Sequence, residues 1–256
     1  MLIALESRLS KCRQILTLGV KPNLEDYSAE ALDLIRESKT VYYPSAFHAE
    51  LFDAIGKPIF PSVHNYLFSQ EKIKQTALFK LLSIPHPYTR IFYGKHQKAS
   101  ICDHFDFPFI AKVPRGSAMG RGVFLIKSQS DLNNYLSDPA PAYIQAYLPI
   151  DRDIRIVVIG QQVVHAYWRI AAQGEFRTNV AMGGSINLDC VPAAAKDLAL
   201  QTAKSCHWND VGIDICMHNG NFYVLEANMK YGKEGFRAAG LDYERLMIDL
   251  IIRGAI

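Results

Sequence analysis

The chain has no apolar run of transmembrane length, and its opening Met1-Leu2-Ile3-Ala4-Leu5 is broken at once by Glu6 and Arg8, which is too short for a signal peptide. A soluble, cytoplasmic protein is expected. Cysteine is scarce: Cys12, Cys102, Cys190, Cys206 and Cys216 are odd in number, scattered and without C-x-x-C spacing, so they read as reduced core thiols rather than a disulfide framework. No Lys/Arg run stands out, and the formal net charge is only +3 over 256 residues. Neither nucleic acid nor a membrane is indicated as a partner, and a small phosphate-bearing ligand suits a few local positive charges better. There is no internal repeat, no low-complexity linker and no G-x-x-x-x-G-K-[ST] phosphate loop.

About half of the residues are hydrophobic, ample for a buried core. The first part alternates strand and helix signals. Strands are expected over 14–20, 40–43 and 58–60, with helices over 28–38 and 46–55, a small α/β unit spanning 1–68. A helix follows from Ser69, read as its N-cap, to Leu82, with Lys72 in its first turn and Ile73, Ala77, Leu78 and Leu81 on one apolar face; Pro85 and Pro87 end it. Strand signals then occupy 88–93, 107–113, 123–127, 142–148, 153–159 and 162–170, with helices over 130–136, 193–206 and 243–252. The class is mixed α/β.

The most informative stretch lies near the end. Val211 to Ile215 and Phe222 to Asn228 are β-type runs separated by His218-Asn219-Gly220-Asn221, an Asn-Gly hairpin signal. Side chains alternate along a strand, so Glu226 and Asn228 share a face and Asp214 of the partner strand can sit beside them. Two carboxylates and an amide oxygen suit a hard cation such as Mg2+, with positions left for phosphate and water. Taken alone, the plainer reading is a surface hairpin whose polar residues face solvent.

Phe107 to Val113 carries Lys112 and runs into Pro114-Arg115-Gly116-Ser117-Ala118-Met119-Gly120-Arg121-Gly122. A glycine-rich loop lets backbone N–H groups approach phosphate oxygens, with Lys112 as a nearby point charge. The alternative is an ordinary hairpin loop with an exposed lysine. Arg155, Arg169 and Arg177 fall between Asp153 and Asn179, where they could stabilise a transferring phosphoryl group or an oxyanion. Individually, each reads as a surface charge. His165 reads as a solvent-facing strand residue.

Together these residues resemble an ATP-grasp enzyme, in the RimK-like subgroup of ribosomal-protein glutamate ligases and their amino-acid ligase relatives. The resemblance runs in order from about Gln70 to the end. It is carried by Gln70-Glu71-Lys72, Lys112, Gly116 to Gly122, Ile144-Gln145-Ala146-Tyr147-Leu148, Asp153-Ile154-Arg155, Arg169, Arg177-Thr178-Asn179, Asp214, Glu226-Ala227-Asn228 and Gly232-Lys233-Glu234-Gly235. It implies two α+β lobes enclosing ATP, 69–141 and 142–256, behind the short N-terminal unit. It further implies ATP bound by Lys72, Lys112, Gly116, Ser117, Gly120, Gly122, the hinge Gln145, Ala146, Tyr147 and Leu148, Asp153 on the ribose side, and Asn179. Asp214, Glu226 and Asn228 would ligate Mg2+, with Mn2+ as a substitute, and Arg155, Arg169 and Arg177 would act in catalysis. Closure of the glycine loop would protect an acyl phosphate from water.

The chain departs from the family at Met229-Lys230-Tyr231, where Ser/Thr-x-Pro is usual, at Trp168, which replaces an acidic residue, and at Ala146 of the hinge. The implied activity is ATP-dependent joining of a carboxylate to an amine through an acyl phosphate, with glutamate-like ligation as one form. A phosphotransferase acting on a small molecule and an ATP-binding protein without turnover are the alternatives. The acid, the amine and any homo-oligomer stay open.

Overall fold

The computed structural model describes residues 2–116 and 121–256. Its first sheet is wholly parallel, in the order β2-β1-β3-β4, from β1 (Leu2–Ala4), β2 (Ile15–Thr17), β3 (Val41–Tyr42) and β4 (Ile59–Phe60). Helices α1 (Ala29–Glu37) and α2 (Ala46–Ala54) begin where Ser28 and Ser45 accept bonds from the N–H groups of Ala31 and His48. Strand β1 was absent from the sequence reading. Three residues are too few to show a period, yet Ile3 and Ala4 are fully buried at the centre of the sheet. A short helix α3 (Val63–Leu67) follows.

Helix α4 (Lys72–Leu81) starts later than expected: Glu71, not Ser69, stands at its cap. Its buried residues are Lys72, Gln75 and Phe79, whereas Leu81 is 82% exposed. A polar anchor overrides the apolar period. The Gln75 amide donates to the Ala227 carbonyl at 2.9 Å and accepts from the Ala227 N–H at 3.1 Å. It thereby pairs backbone groups that a strand at a sheet edge would otherwise leave open.

The second sheet is antiparallel, in the order β5-β8-β6-β7, from β5 (Thr89–Phe92), β6 (Phe109–Lys112), β7 (Val123–Ile126) and β8 (Ala142–Ala146). Its core gathers Phe92, Phe109, Ile126 and Ile144 with Leu132 of α6 (Gln129–Tyr135). Helix α5 (Gly94–Ala99) was not foreseen.

The third sheet is also antiparallel, in the order β11-β10-β9-β12-β13, from β9 (Arg152–Ile159), β10 (Gln162–Ile170), β11 (Ser185–Asn187), β12 (Asp210–His218) and β13 (Asn221–Asn228). Strand β9 is buried on both faces. Ile154, Ile156 and Val158 meet Ala195, Ala199 and Ala203 of α7 (Ala193–Ser205), while Val157 and Ile159 join Ala4, Tyr42 and Phe60 of the first sheet. Short α8 (Glu234–Ala238) leads to α9 (Tyr243–Ile252), whose Met247, Leu250 and Ile251 complete that shared core. Among the described residues no helix is long and apolar enough to cross a membrane.

Candidate active site

A cleft of about 470 Å3 lies between the second and third sheets. Ile110, Lys112 and Gln145 line it from one side, Asp153, Arg155, Asp214 and Glu226 from the other, and the segment after β8, Tyr147 and Leu148, closes one end. Every described residue of the expected site lines this cleft except Gly116; Ser117 and Gly120 lie outside the described residues.

The hairpin forms as the sequence predicts. Asn219 and Gly220 both have positive φ, 49° and 77°, the geometry that makes an Asn-Gly pair a tight strand connection. In the resulting register Asp214 stands opposite Glu226 and Gly212 opposite Asn228. The ladder shifts between Asp214 and Ile215, so Leu225 is an extra residue on β13 just before the site. The Asn228 amide donates to Asp214 Oδ2 at 3.1 Å, and Glu226 stands opposite Asp214 in the ladder, so the three expected residues share one face of the hairpin. Two carboxylates and an amide fit a hard divalent cation that keeps phosphate and water in its remaining positions. Among the described residues no cluster of three or more His, Cys, Asp or Glu gathers to offer a different kind of metal site.

Lys72, Arg155 and Arg169 pair with carboxylates of the cleft. Arg155, opposite Asp214 on the neighbouring strand, bonds it through Nε and through Nη2, the latter at 3.0 Å. Arg169 Nη2 reaches Asp214 Oδ2 at 2.9 Å, and Arg169 Nε donates to Asp153 Oδ1 at 2.8 Å. Burial pushes the Asp214 carboxyl up, but the two guanidinium groups outweigh it and hold the carboxyl below its ordinary range. Lys72 Nζ lies 3.3 Å from Glu226 Oε1. Lys112 is buried, which lowers its ammonium below the ordinary lysine value, with Glu226 pulling the other way.

Three expectations therefore meet a more crowded site. Arg155 and Arg169 are tied to Asp214, and Arg177 grips Glu175 through Nε at 3.0 Å and Nη2 at 2.7 Å, holding that carboxyl down at about 2. Asp153, expected on the ribose side, has both oxygens against Arg169. Gln145 turns its side chain to the Thr89 hydroxyl at 2.9 Å. His165 does not face solvent: it is half-buried against Tyr167 and Phe236, with Nε2 3.0 Å from the Gly235 carbonyl.

One group was invisible to sequence reasoning. Asp210, fully buried at the start of β12, accepts from Tyr231 Oη at 2.6 Å and from Tyr43 Oη at 2.7 Å. The Arg8 guanidinium stands 4.8 to 5.4 Å from the ring centroids of Tyr231, Tyr43 and Tyr243. Tyr231 also lines the cleft, together with Lys230, Tyr167 and Glu234. Arg8 and Tyr43 come from the N-terminal unit, and no local spacing connects them to Asp210.

This geometry agrees with a family match. The model of the RimK-like ATP-grasp domain matches residues 69–251. The chain belongs to that family. It is 28% identical over 195 residues to a ribosomal protein bS6–L-glutamate ligase of Escherichia fergusonii, covering 73% of this chain and 65% of the relative. It is 30% identical over 176 residues to human beta-citrylglutamate synthase B, covering 65% of this chain and 45% of the relative. The chain thus spans about half to two thirds of the length of these curated relatives. Among solved structures, the ATP-grasp ligase PsnB complexed with a minimal precursor, Mg and ADP superposes with a TM-score of 0.73 at 16% identity, over 99% of this chain and 97% of PsnB. At that identity the likeness speaks for the fold, which is that of ATP-grasp proteins.

Proposed function

We propose that this RimK-like ATP-grasp chain joins a carboxylate to an amine at the expense of ATP, through an acyl phosphate. The observation that carries this reading is the convergence of Asp214, Glu226 and Asn228 on one wall of a cleft, with Lys72 beside Glu226 and Lys112 on the facing sheet. Lys72 and Lys112 would grip the α- and β-phosphates, with Tyr147 and Leu148 beside the base. Asp214, Glu226 and Asn228 would hold Mg2+, or Mn2+ in its place, which would supply positive charge to offset that of the phosphates during phosphoryl transfer.

On the acceptor side, Arg155 and Arg177 orient the acid whose oxygen attacks the γ-phosphate, and their positive charge favours the tetrahedral oxyanion formed when the amine adds. Arg169 holds Asp153 and Asp214 in place. Glutamate is the first amine to test, because relatives at 28 to 30% identity carry glutamate in their names. Lys230 and Tyr231, which line the cleft where the chain leaves the family pattern, are the residues expected to set its own choice of substrate, whereas Trp168 packs on the opposite face of the sheet, against the core beneath α7.

ADP release measured over a panel of acids and amines tests the proposal, with hydroxylamine as trap. A hydroxamate is expected, and Glu226→Gln should abolish it while the thermal melt stays unchanged. A stable phosphorylated product formed without any amine would instead identify a phosphotransferase.

A further inference from the structure

Each carboxylate expected to ligate metal is already met by a side-chain cation of the same chain. Lys72 stands 3.3 Å from Glu226, and Arg155 and Arg169 both bond Asp214. All but Glu226 are withdrawn from water: Lys72, Arg169 and Asp214 are each 5% exposed and Arg155 is 7%, while the Glu226 side chain keeps 24% of its surface exposed. A carboxylate so placed needs a counter-charge, and here α4, β9 and β10 each supply one. A divalent cation approaching this wall therefore meets neutralised oxygens backed by an ammonium and two guanidinium groups. At such separations like charges repel strongly, even in a medium well above the dielectric of a dry interior.

The cations are not equivalent. Arg169 is shared between Asp153 and Asp214, a bridging position that suits a fixed support. Lys72 is the first residue of α4 and lines the cleft, so its ammonium faces both Glu226 and the space a phosphate would enter. Arg155 likewise lines the cleft.

We propose that Lys72 and Arg155 are internal counter-cations, so that metal reaches Glu226 and Asp214 only in exchange for them. Nucleotide drives the exchange. Its phosphates draw Lys72 away from Glu226 and bring negative charge into the cleft, so metal binds the free protein weakly and the nucleotide-loaded protein well. By linkage, metal strengthens nucleotide binding by the same factor. This inference rests on the metal set proposed above and adds a binding order to it.

Mn2+ alone is the probe, titrated into the full chain without nucleotide and followed by calorimetry or by the spectroscopic signal of free Mn2+. Wild-type protein should bind it weakly, and Lys72→Met at least tenfold more tightly, because Glu226 loses its neutralising partner. Lys72→Arg keeps the charge and should stay as weak as wild type, which a merely structural role for Lys72 would not require. Arg155→Met should shift affinity in the same direction and serves as the second variant if the Lys72→Met melt shows a folding defect. Adding Glu226→Gln to Lys72→Met should remove the gain. Equal Mn2+ affinity in wild type, Lys72→Met and Arg155→Met, lost on Glu226→Gln, overturns the exchange and leaves the metal site standing. Absence of Mn2+ binding in every protein, even with ADP present, overturns both.

Discussion

Tyr231 donates its hydroxyl to Asp210 at 2.6 Å, tying the segment that follows Asn228 to the strand that carries Asp214. Tyr43 takes the other oxygen of the same carboxylate, and Arg8 lies among the rings of Tyr43, Tyr231 and Tyr243. Both ends of the hairpin that carries Asp214, Glu226 and Asn228 are thus held by residues of the N-terminal unit.

Asp210 is fully buried, so removing a partner leaves an under-compensated charge. Arg8→Met should cost about 3 kcal/mol, the low end for a buried pair, since the Arg8 to Asp210 distance is long at 3.9 Å. Tyr231→Phe, which removes one hydrogen bond to a charged acceptor, should cost about 1.5–3 kcal/mol. Urea unfolding of both variants checks this; values near zero for both would show that the cage does not bear on stability.

Gly235 lies under the ring of Tyr167. A Cβ at this position would stand 2.1 Å from Tyr167 Cε1, and Tyr167 packs its other side towards the cleft. Gly235→Ala should therefore destabilise by about 1–3 kcal/mol, the usual cost of overpacking, and displace a cleft-lining ring. A melt equal to wild type would mean that the ring moves aside freely.

Lys112 gives a signed pH dependence. Its ammonium lies below the ordinary value of 10.5 mainly through burial, opposed by Glu226, with Lys72 adding to the lowering and Asp214 opposing it. Between the folded value and 10.5 the unfolded chain binds more protons than the folded one, so this group makes stability rise with pH across that window. Lys112→Met should remove that rise. Denaturant unfolding of wild type and variant over the alkaline range measures it, and parallel curves would refute the assignment.

Local chemistry accounts for what could be read from the residues alone. The Asn-Gly turn, the two β-type runs beside it and the alternation of side chains place Asp214, Glu226 and Asn228 on one face without reference to the rest of the chain. The helices expected over 28–38 and 46–55, the strand carrying Lys112 and the class of the fold are legible in the same way, because each depends on neighbours within a few positions, although the one cap read there, Ser69, gives way to Glu71.

Other features depend on groups far apart in the chain, and only the tertiary structure decides them. Gln75 is buried in α4 because the edge strand β13, some 150 residues later, presents an unpaired N–H and C=O that its amide satisfies. Arg155 and Arg169 meet Asp214 because β9 lies between β10 and β12, an order that strand periodicity does not contain. Arg8 reaches Tyr243 across 235 positions. The sequence alone therefore determined which residues are candidates for metal and phosphate, while the packing of three sheets decided which cations pair with them, since a buried charge takes its partner from whatever surface the fold brings against it.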